Sequence, residues 1–295
     1  MQDIISAVSL GSIYLLFALG MSLVWGTIGI LNFAHGSIFM FSAFTGYLLV
    51  TVVQLPLVAL IVIGVVVGVA LSLFIQVAVF EQIQKRTKNP KMAEMQMLIG
   101  GVGLAGIPLA IAQIATMSNP FGFSNSTFQV ETYSAGGLRI TNIEIITIVA
   151  AVGLGAIVAR WLHKSRQGLA LRSIGVDAEV SSMMGIDRRR LGLGIMAVAG
   201  GLAGLAGVLF TFSIGAITPE SGETLLIKAF AVIILGGVGS TMGVVVGSFT
   251  LAFAETYVLI YTNGTWVEAI SFGLIFAVLL LKPTGLFGKK EVRRT

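Results

Sequence analysis

The side chains of this 295-residue sequence that could do chemistry do not form a recognisable catalytic set. Its two histidines, His35 and His163, lie far apart, and it has no cysteine, which excludes thiol chemistry and cysteine-bound metals. No segment matches G-x-x-x-x-G-K-[ST], H-E-x-x-H or G-x-S-x-G, the patterns of nucleotide, zinc-protease and serine-hydrolase sites. We therefore predict no catalytic residue, no metal site and no cofactor on this chain.

Polar residues interrupt a long apolar run at 30–36, where Asn32, His35 and Gly36 fall within five positions. Buried polar groups in lipid are costly, so such a cluster should face protein or a water-filled cavity. We interpret the three residues as a gate or as the lining of a substrate path. The alternative is that they only satisfy backbone groups freed at a helix break, or anchor an interface.

A second unusual segment contains Gly236, Gly237, Gly239 and Ser240. Closely spaced glycines unwind a helix or permit very close backbone approach, and discontinuous helices often frame transporter sites. The segment is therefore a second candidate for the substrate path. The competing interpretation is a plain turn between two membrane spans.

The third segment, 167–190, is polar and basic, and we predict a short amphipathic helix at 176–185. Asp177 near its start suits the helix dipole, and Gly185 suits a C-terminal cap. One apolar face is formed by three residues at helical spacing: Val180, Met183 and Met184. Such a helix needs something to lie against, either lipid headgroups or a soluble partner.

The composition indicates the elements that must position these segments. Hydrophobic residues make up 56% of the chain, charged residues only 11%, and the mean hydropathy is +0.98, which excludes a soluble globular fold. We predict one all-α domain, 1–295, built as a polytopic transmembrane bundle of about eight to nine spans. The spans are expected near 4–27, 34–54, 56–80, 95–117, 143–162, 191–213, 225–238, 243–262 and 266–281.

The charge distribution predicts the topology. The net charge is +5, and most of the 18 basic residues cluster in segments near 81–94, 163–190 and 282–295. The positive-inside rule makes these segments cytoplasmic, which leaves the N-terminus outside. Segment 118–142 should then be an external loop with short strands near 127–132. The basic excess marks topology, and we expect no nucleic-acid partner.

The sequence also predicts how the helices pack and how few charges lie within the membrane. GxxxG pairs occur at 64–68 and 243–247, and glycines repeat through 200–207, which favours close helix packing. The packing partner could also be a second copy of the chain or a paralogue. Glu255 is the clearest intramembrane acid, while Lys228 and Glu268 fall near span ends. One carboxylate does not make a proton relay, so the chain looks like a conduit that needs an external energy source.

The full set of motifs resembles the permease subunits of bacterial ABC importers for branched-chain amino acids. The matching stretches are GSIY at 11–14, ALG at 18–20, LNFAHG at 31–36, GLALRSI at 168–174, GID at 185–187, GLAGLAGV at 201–208, KAF at 228–230, LGGVGS at 235–240 and KPTGLFG at 282–288. Together they cover almost the whole chain, although each stretch alone is weakly specific.

This resemblance implies a multi-pass protein of the bacterial inner membrane, surrounded by membrane lipid. Its expected partners are a second related permease subunit, two cytoplasmic ATPases that hold ATP and Mg²⁺, and a periplasmic or lipid-anchored solute-binding protein. The central cytoplasmic helix would be the coupling helix that docks in the ATPase. The resemblance assigns the following residues to that segment: Arg172, Asp177, Glu179, Gly185, Ile186 and Asp187.

Three other functions stay open at the level of sequence. A related ABC importer for urea, short amides or another small polar solute would have a very similar permease. A stand-alone secondary transporter or channel would move solute without ATPases. An intramembrane enzyme would need a convergent acid–base or metal set, and the sequence shows none.

Overall fold

A computed structural model describes residues 2–87, 89–135, 138–176, 178–262, 264, 266–282 and 284–288. Most of these residues are helical. The α-helices are α1 Gln2–Ile28, α2 His35–Val52, α3 Leu57–Ile75, α4 Glu81–Arg86, α5 Pro90–Thr116, α6 Asn142–Lys164, α7 Arg166–Val176, α8 Ala178–Met183, α9 Arg188–Ile214, α10 Ser221–Gly236, α11 Thr241–Thr262 and α12 Val267–Leu281. A π-helical turn, Gln76–Phe80, joins α3 to α4, and the hairpin strands are β1 Thr132–Ala135 and β2 Leu138–Thr141.

The predicted all-α bundle of about eight to nine spans is confirmed. Within the described residues, seven helices are long and apolar enough to cross a membrane, and α10 and α12 are shorter helices at the predicted places. Helix α5 begins at Pro90, before the apolar run, because the Asn89 side chain caps it by accepting a hydrogen bond from the Lys91 amide at 3.1 Å. Hydropathy marks the apolar part of a helix and misses such polar ends.

The predicted strand position near 127–132 is wrong. The strands pair antiparallel, with Thr132 opposite Thr141 and Ala135 opposite Leu138, so they flank the Gly-Gly pair instead of preceding it. Residues 126 and 127 instead bond back to the α2–α3 loop: the Ser126 hydroxyl and the Thr127 amide both donate to the Leu55 carbonyl. Tertiary hydrogen bonds hold this stretch as a loop.

Long-range contacts define two ends of the bundle, which we name the hairpin end and the basic end. At the hairpin end, the Gln2 side chain bonds Arg139 of β2, and the backbones of Phe121 and Ile217 pair. The basic end is defined by contacts between Glu81 and Arg189, between Gly26 and both Gly175 and Gly239, and between Gly237 and Gly288. The described parts of the three predicted basic segments therefore meet at one end, opposite segment 118–142.

Two halves of the chain are built alike but run in opposite directions. Helices α1 and α9 each have 27 residues, and a shift of 186 positions relates both ends of α1 to those of α9 (2 to 188 and 28 to 214). The same shift relates the start of α2 to the start of α10 (35 to 221). Helix α3 packs on α9 as α11 packs on α1, and α2 packs on α5 as α10 packs on α12. The repeat is an inverted one, a common plan among membrane transporters.

The two halves meet where α2 and α10 begin. A Cβ atom at Gly36 would overlap the Gly222 carbonyl oxygen, and a Cβ atom at Gly222 would overlap the Gly36 carbonyl oxygen. This reciprocal contact places the two-fold axis of the repeat between these glycines. Both helices therefore start inside the bundle, each after a break at 29–34 or 215–220.

Glycine faces also bring α3 and α9 together. Gly64 lies against Gly204, and Gly68 lies against Gly200, each close enough that a Cβ atom would overlap a backbone oxygen. The Ser72 hydroxyl adds a 2.6 Å hydrogen bond to the Met196 carbonyl along the same seam. The GxxxG pair at 64–68 thus serves packing within the chain, where dispersion contacts hold helices together in lipid.

Gly68→Ala is expected to destabilise the folded chain by about 1–3 kcal/mol, because the added methyl forces α3 away from α9. The thermal unfolding midpoint of the detergent-purified protein measures this change. Gly153→Ala in α6 is the matched control, since a Cβ atom there meets nothing within 4 Å. Equal midpoints for both variants would contradict the proposed role of the seam.

Candidate functional site

The break between α1 and α2 brings Asn32 and His35 into the interior of the bundle. Asn32 is 2% exposed, and its Oδ1 accepts a hydrogen bond from the Ala34 amide at 3.1 Å. His35 is fully buried, with Nε2 3.2 Å from the Phe17 carbonyl oxygen and its ring 4.7 Å from the Phe17 ring. Part of each side chain therefore satisfies freed backbone groups, as the alternative interpretation expects.

The other polar atom of each side chain has no partner within the described residues. Asn32 Nδ2 and His35 Nδ1 are both buried and make no hydrogen bond there. Since Nε2 bonds a carbonyl oxygen, Nε2 carries the proton and Nδ1 offers a lone pair. The break therefore presents one free amide donor and one free imidazole acceptor, which are the groups that water or a polar solute could bind.

The glycine segment at 236–240 forms the turn between α10 and α11 at the basic end. Gly237 and Gly239 have positive φ angles of 97° and 75°, which favour glycine. Backbone bonds from Leu286 and Phe287 reach the carbonyls of Leu235 and Gly236, so the turn is also tied to the end of the chain. Ser240 Oγ accepts from the Gly243 amide at 3.0 Å and caps α11. These contacts fit the turn interpretation, and a role in the substrate path stays a prediction.

The predicted helix at 176–185 is wrong in its boundaries. The helical residues begin ten positions earlier, with α7 at Arg166, where the Ser165 hydroxyl accepts from the Gly168 amide at 2.9 Å. This serine cap was missed, because the prediction rested on the signals at 177 and 185. Asp177 lies outside the described residues, as does the side chain of Glu179.

An apolar surface is exposed at the basic end around α8. Met183 and Met184 are 83% and 78% exposed, and Val180 beside them is also exposed. Gly185 follows with a φ of 83°, and its amide bonds the Ser182 carbonyl, as expected of a capping glycine. We name these residues, with half-buried Ile186, the methionine surface. Flexible, polarisable methionines suit a protein-docking surface.

Polar contacts fix the methionine surface to the bundle. The Arg172 guanidinium donates to the carbonyls of Gly168 and His163, which holds α7 against the end of α6. Asp187 caps α9 by accepting from the amides of Arg189 and Arg190 at 3.0 and 3.1 Å. Short connections therefore join this segment to the ends of α6 and α9.

An ion pair between a buried carboxylate and an exposed arginine links the same end to α4. Arg189 Nε lies 3.1 and 3.0 Å from the two carboxylate oxygens of Glu81, whose side chain is only 6% exposed. Arg189 was predicted only as one of the basic residues that mark the cytoplasmic side. The pairing joins residues that are far apart in the chain, so only the fold reveals it.

A second polar cluster lies deep in the bundle and joins four helices. Glu255 on α11 is 2% exposed, and its Oε2 accepts from Tyr14 of α1 at 2.5 Å and from Lys228 of α10 at 2.8 Å. Its Oε1 accepts from Ser271 of α12 at 2.5 Å. Lys228 also donates to the Tyr14 hydroxyl at 2.9 Å. We name these four residues the Glu255 cluster.

The Glu255 cluster balances its own charge. One carboxylate faces one ammonium group, and both carboxylate oxygens are occupied by donors. Glu255 was predicted as an intramembrane acid and Lys228 as a residue near a span end, but the two lie 27 positions apart and their pairing has no signal in the sequence. A neutral, saturated cluster is suited to holding helices together and is unsuited to carrying protons.

The arrangement as a whole resembles a conduit with a docking surface. Among the residues that the structure describes, no group of three His, Cys, Asp or Glu side chains could hold a metal ion. The main features are an interrupted helix with polar residues inside the bundle, a fully paired ion pair beside it, and an exposed apolar surface at the basic end. Such a chain can bind and pass a solute and can receive force from a partner.

Known proteins support this interpretation over the whole chain. Residues 4–279 match the family described as branched-chain amino acid transport system / permease component. The high-affinity branched-chain amino acid permease protein BraD of Pseudomonas aeruginosa is 26% identical, with 100% of this chain and 97% of the relative covered. LivH of Escherichia coli is 28% identical over the same shares, and the probable LivH of Methanocaldococcus jannaschii is 27% identical, over 96% and 90%. No solved structure matches the chain.

Lys228→Met is expected to destabilise the folded chain by about 3–5 kcal/mol, because it leaves the Glu255 carboxylate buried without its counter-ion. Thermal unfolding in detergent measures this loss. The double variant Lys228→Met/Glu255→Gln removes both charges and is expected to recover part of the stability. A double variant that is no more stable than the single one would show that the charge pair is not what Lys228 contributes.

Proposed function

Since the chain belongs to the family of permease components of branched-chain amino acid transport systems, we propose that it forms the membrane path for branched-chain amino acids. It is a permease subunit of an ABC importer for amino acids and a multi-pass protein of the bacterial inner membrane. It is a transport component and not an enzyme, and it works with ATPase and binding-protein partners. The observation that carries the substrate proposal is the family match along residues 4–279.

The assembly that we propose contains this chain, a second related permease subunit, two ATPases and a solute-binding protein. ATP and Mg²⁺ bind to the ATPases, which seat the methionine surface. The solute-binding protein docks at the hairpin end. Segment 118–142 belongs to that end, opposite the basic segments, which supports this arrangement.

Coupling is proposed to run from the methionine surface into α9. Closure of the ATPases displaces α8, and Asp187 passes this displacement to α9 because it caps that helix directly. The Glu81–Arg189 pair carries the movement on to α4 and α3. Coupling of this kind requires two states of the bundle that both the ATPases and the receptor can favour.

The proposed path passes the break at 29–34. Asn32 and His35 supply the free donor and acceptor described above, and Gly36 allows the two broken helices to meet. The turn residues Gly236, Gly237, Gly239 and Ser240 are proposed to form the inner boundary of the path, since Gly239 touches Gly26 at the end of α1.

Reconstitution in liposomes tests the substrate class. The complete complex contains the chain, its second permease subunit, the ATPases and the binding protein. It should take up leucine, isoleucine and valine only when ATP is present on the side of the membrane that carries the ATPases. Urea and acetamide serve as competing solutes, and uptake of either in place of the amino acids would overturn the proposal. Uptake by this chain alone under an ion gradient would instead identify a stand-alone transporter.

Met183→Glu is expected to lower solute-stimulated ATP hydrolysis by about tenfold or more, because a charge in an apolar docking contact is desolvated without a partner. Met117→Glu is the matched control: Met117 is 85% exposed, against 83% for Met183, but follows α5 on the hairpin side. Purification of intact complex should be checked for both variants. Unchanged stimulation in Met183→Glu, with the ATPases still bound, would exclude α8 as the coupling element.

A further inference from the structure

The exposed face of α10 carries a carboxylate at an unusual depth. Glu223, Thr224 and Ile227 are exposed on this helix, although the neighbouring residues Gly222, Leu225 and Leu226 are buried. We name these three exposed residues the α10 face. Exposed apolar residues suit lipid, but a carboxylate needs an aqueous or protein environment.

Three contacts establish the depth of Glu223. Gly222 touches Gly36, and the adjacent His35 bonds the carbonyl of Phe17, which lies near the middle of α1. The next residue, Ser37, bonds the carbonyl of Ala105 in the middle of α5 at 2.9 Å. Glu223 follows Gly222 directly, so its backbone lies near the centre of the bundle along the membrane normal.

The inverted repeat provides an internal comparison. The shift of 186 positions that relates α2 to α10 makes Ser37 the counterpart of Glu223. Ser37 is 7% exposed and is covered by α5, whereas Glu223 is exposed. The two halves therefore differ at this point: the first half covers the position with its own helix, and the second half leaves a carboxylate open.

An exposed carboxylate at mid-depth is incompatible with a lipid-facing surface. Ionisable residues inside membranes face the bundle interior or a water-filled cavity, and they mark the routes of ions and solutes. Transporters that are built from inverted repeats also bind their solutes near the midplane, where broken helices meet. The α10 face satisfies both conditions.

We propose that the α10 face lines the aqueous solute path at the centre of the membrane, and that the Glu223 carboxylate pairs there with the α-ammonium group of an amino acid. The inference rests on the proposed function for the solute and on the geometry for the path. Ile227, one turn further along the helix, offers an apolar contact to the solute side chain. The Glu255 cluster lies beside this face, since Lys228 is one helical turn beyond Thr224, and it keeps α10 fixed to α1, α11 and α12.

Thiol accessibility tests the path without reference to transport. The chain has no cysteine, so a single introduced thiol is the only one in this subunit, and the label is read on this subunit after separation from its partners. Glu223→Cys, in the complete importer in liposomes, should react with a cationic, membrane-impermeant methanethiosulfonate at least about tenfold faster than a lipid-exposed thiol, because thiolate forms in water. The control is Ile157→Cys: Ile157 is exposed on α6, near Gly155, which packs on Leu15 in the middle of α1. Both variants should react fully after denaturation.

Reactivity of Glu223→Cys no faster than that of Ile157→Cys, with and without ATP, would overturn the proposal. It would leave Glu223 as a residue that only stabilises the first turn of α10. This result is separable from a failure of the proposed function, because labelling needs no solute. An importer that takes up urea and still labels at 223 would refute the amino-acid substrate and retain the path.

Protection by solute tests the ammonium contact. Thr224→Cys keeps Glu223 and should label more slowly when leucine and the binding protein are present. The double variant Thr224→Cys/Glu223→Gln should lose this protection, while Thr224→Cys/Glu223→Asp should keep part of it. Equal protection in the Gln and Asp variants would overturn the carboxylate–ammonium pairing.

Discussion

Two glycine backbones in contact at the centre of the bundle determine how the rest of this structure is arranged. Gly36 and Gly222 each leave no room for a side chain on the other, so α2 and α10 begin side by side inside the protein. Helices that begin there expose unpaired amide groups, which must be satisfied without water. The polar residues at 32–35 and 218–221 satisfy backbone amides within the two breaks, just before the helices begin: Asn32 Oδ1 accepts from the Ala34 amide, and Ser221 Oγ accepts from the Thr218 amide.

The two halves of the inverted repeat are built alike but differ in the polar groups that they leave open. In the first half, the break keeps a free amide donor and imidazole acceptor, and α5 covers the adjacent helix surface. In the second half, the corresponding surface is open and carries Glu223. Beside that surface, the Glu255 cluster joins α10 to three other helices with a neutral, fully paired set of charges. A helix that is fixed along one side and open along the next can line a path while the bundle changes state.

In the proposed assembly, the ATPases and the solute-binding protein contact this subunit at opposite ends. The methionine surface is an exposed apolar area among basic residues, and its attachment to α9 through Asp187 is short and directional. The hairpin end is held by backbone and amide contacts, among them the Phe121–Ile217 pairing. Helix α9 runs between the two ends and packs on α1, α2 and α3 through glycine and alanine residues. A close-packed helix transmits displacement because its neighbours cannot absorb it.

The sequence alone determined the membrane class, the positions of the spans, the break at 30–36 in the apolar pattern and the family resemblance, because these depend on local hydropathy, charge and motif order. It missed the start of α7, which depends on one serine cap, and misplaced the strands, which tertiary bonds to Leu55 decide. Only the tertiary structure joined Lys228 to Glu255, brought Arg189 to Glu81 and set the depth of Glu223. These relations join residues that are distant along the chain, and helix packing alone decides which of them meet.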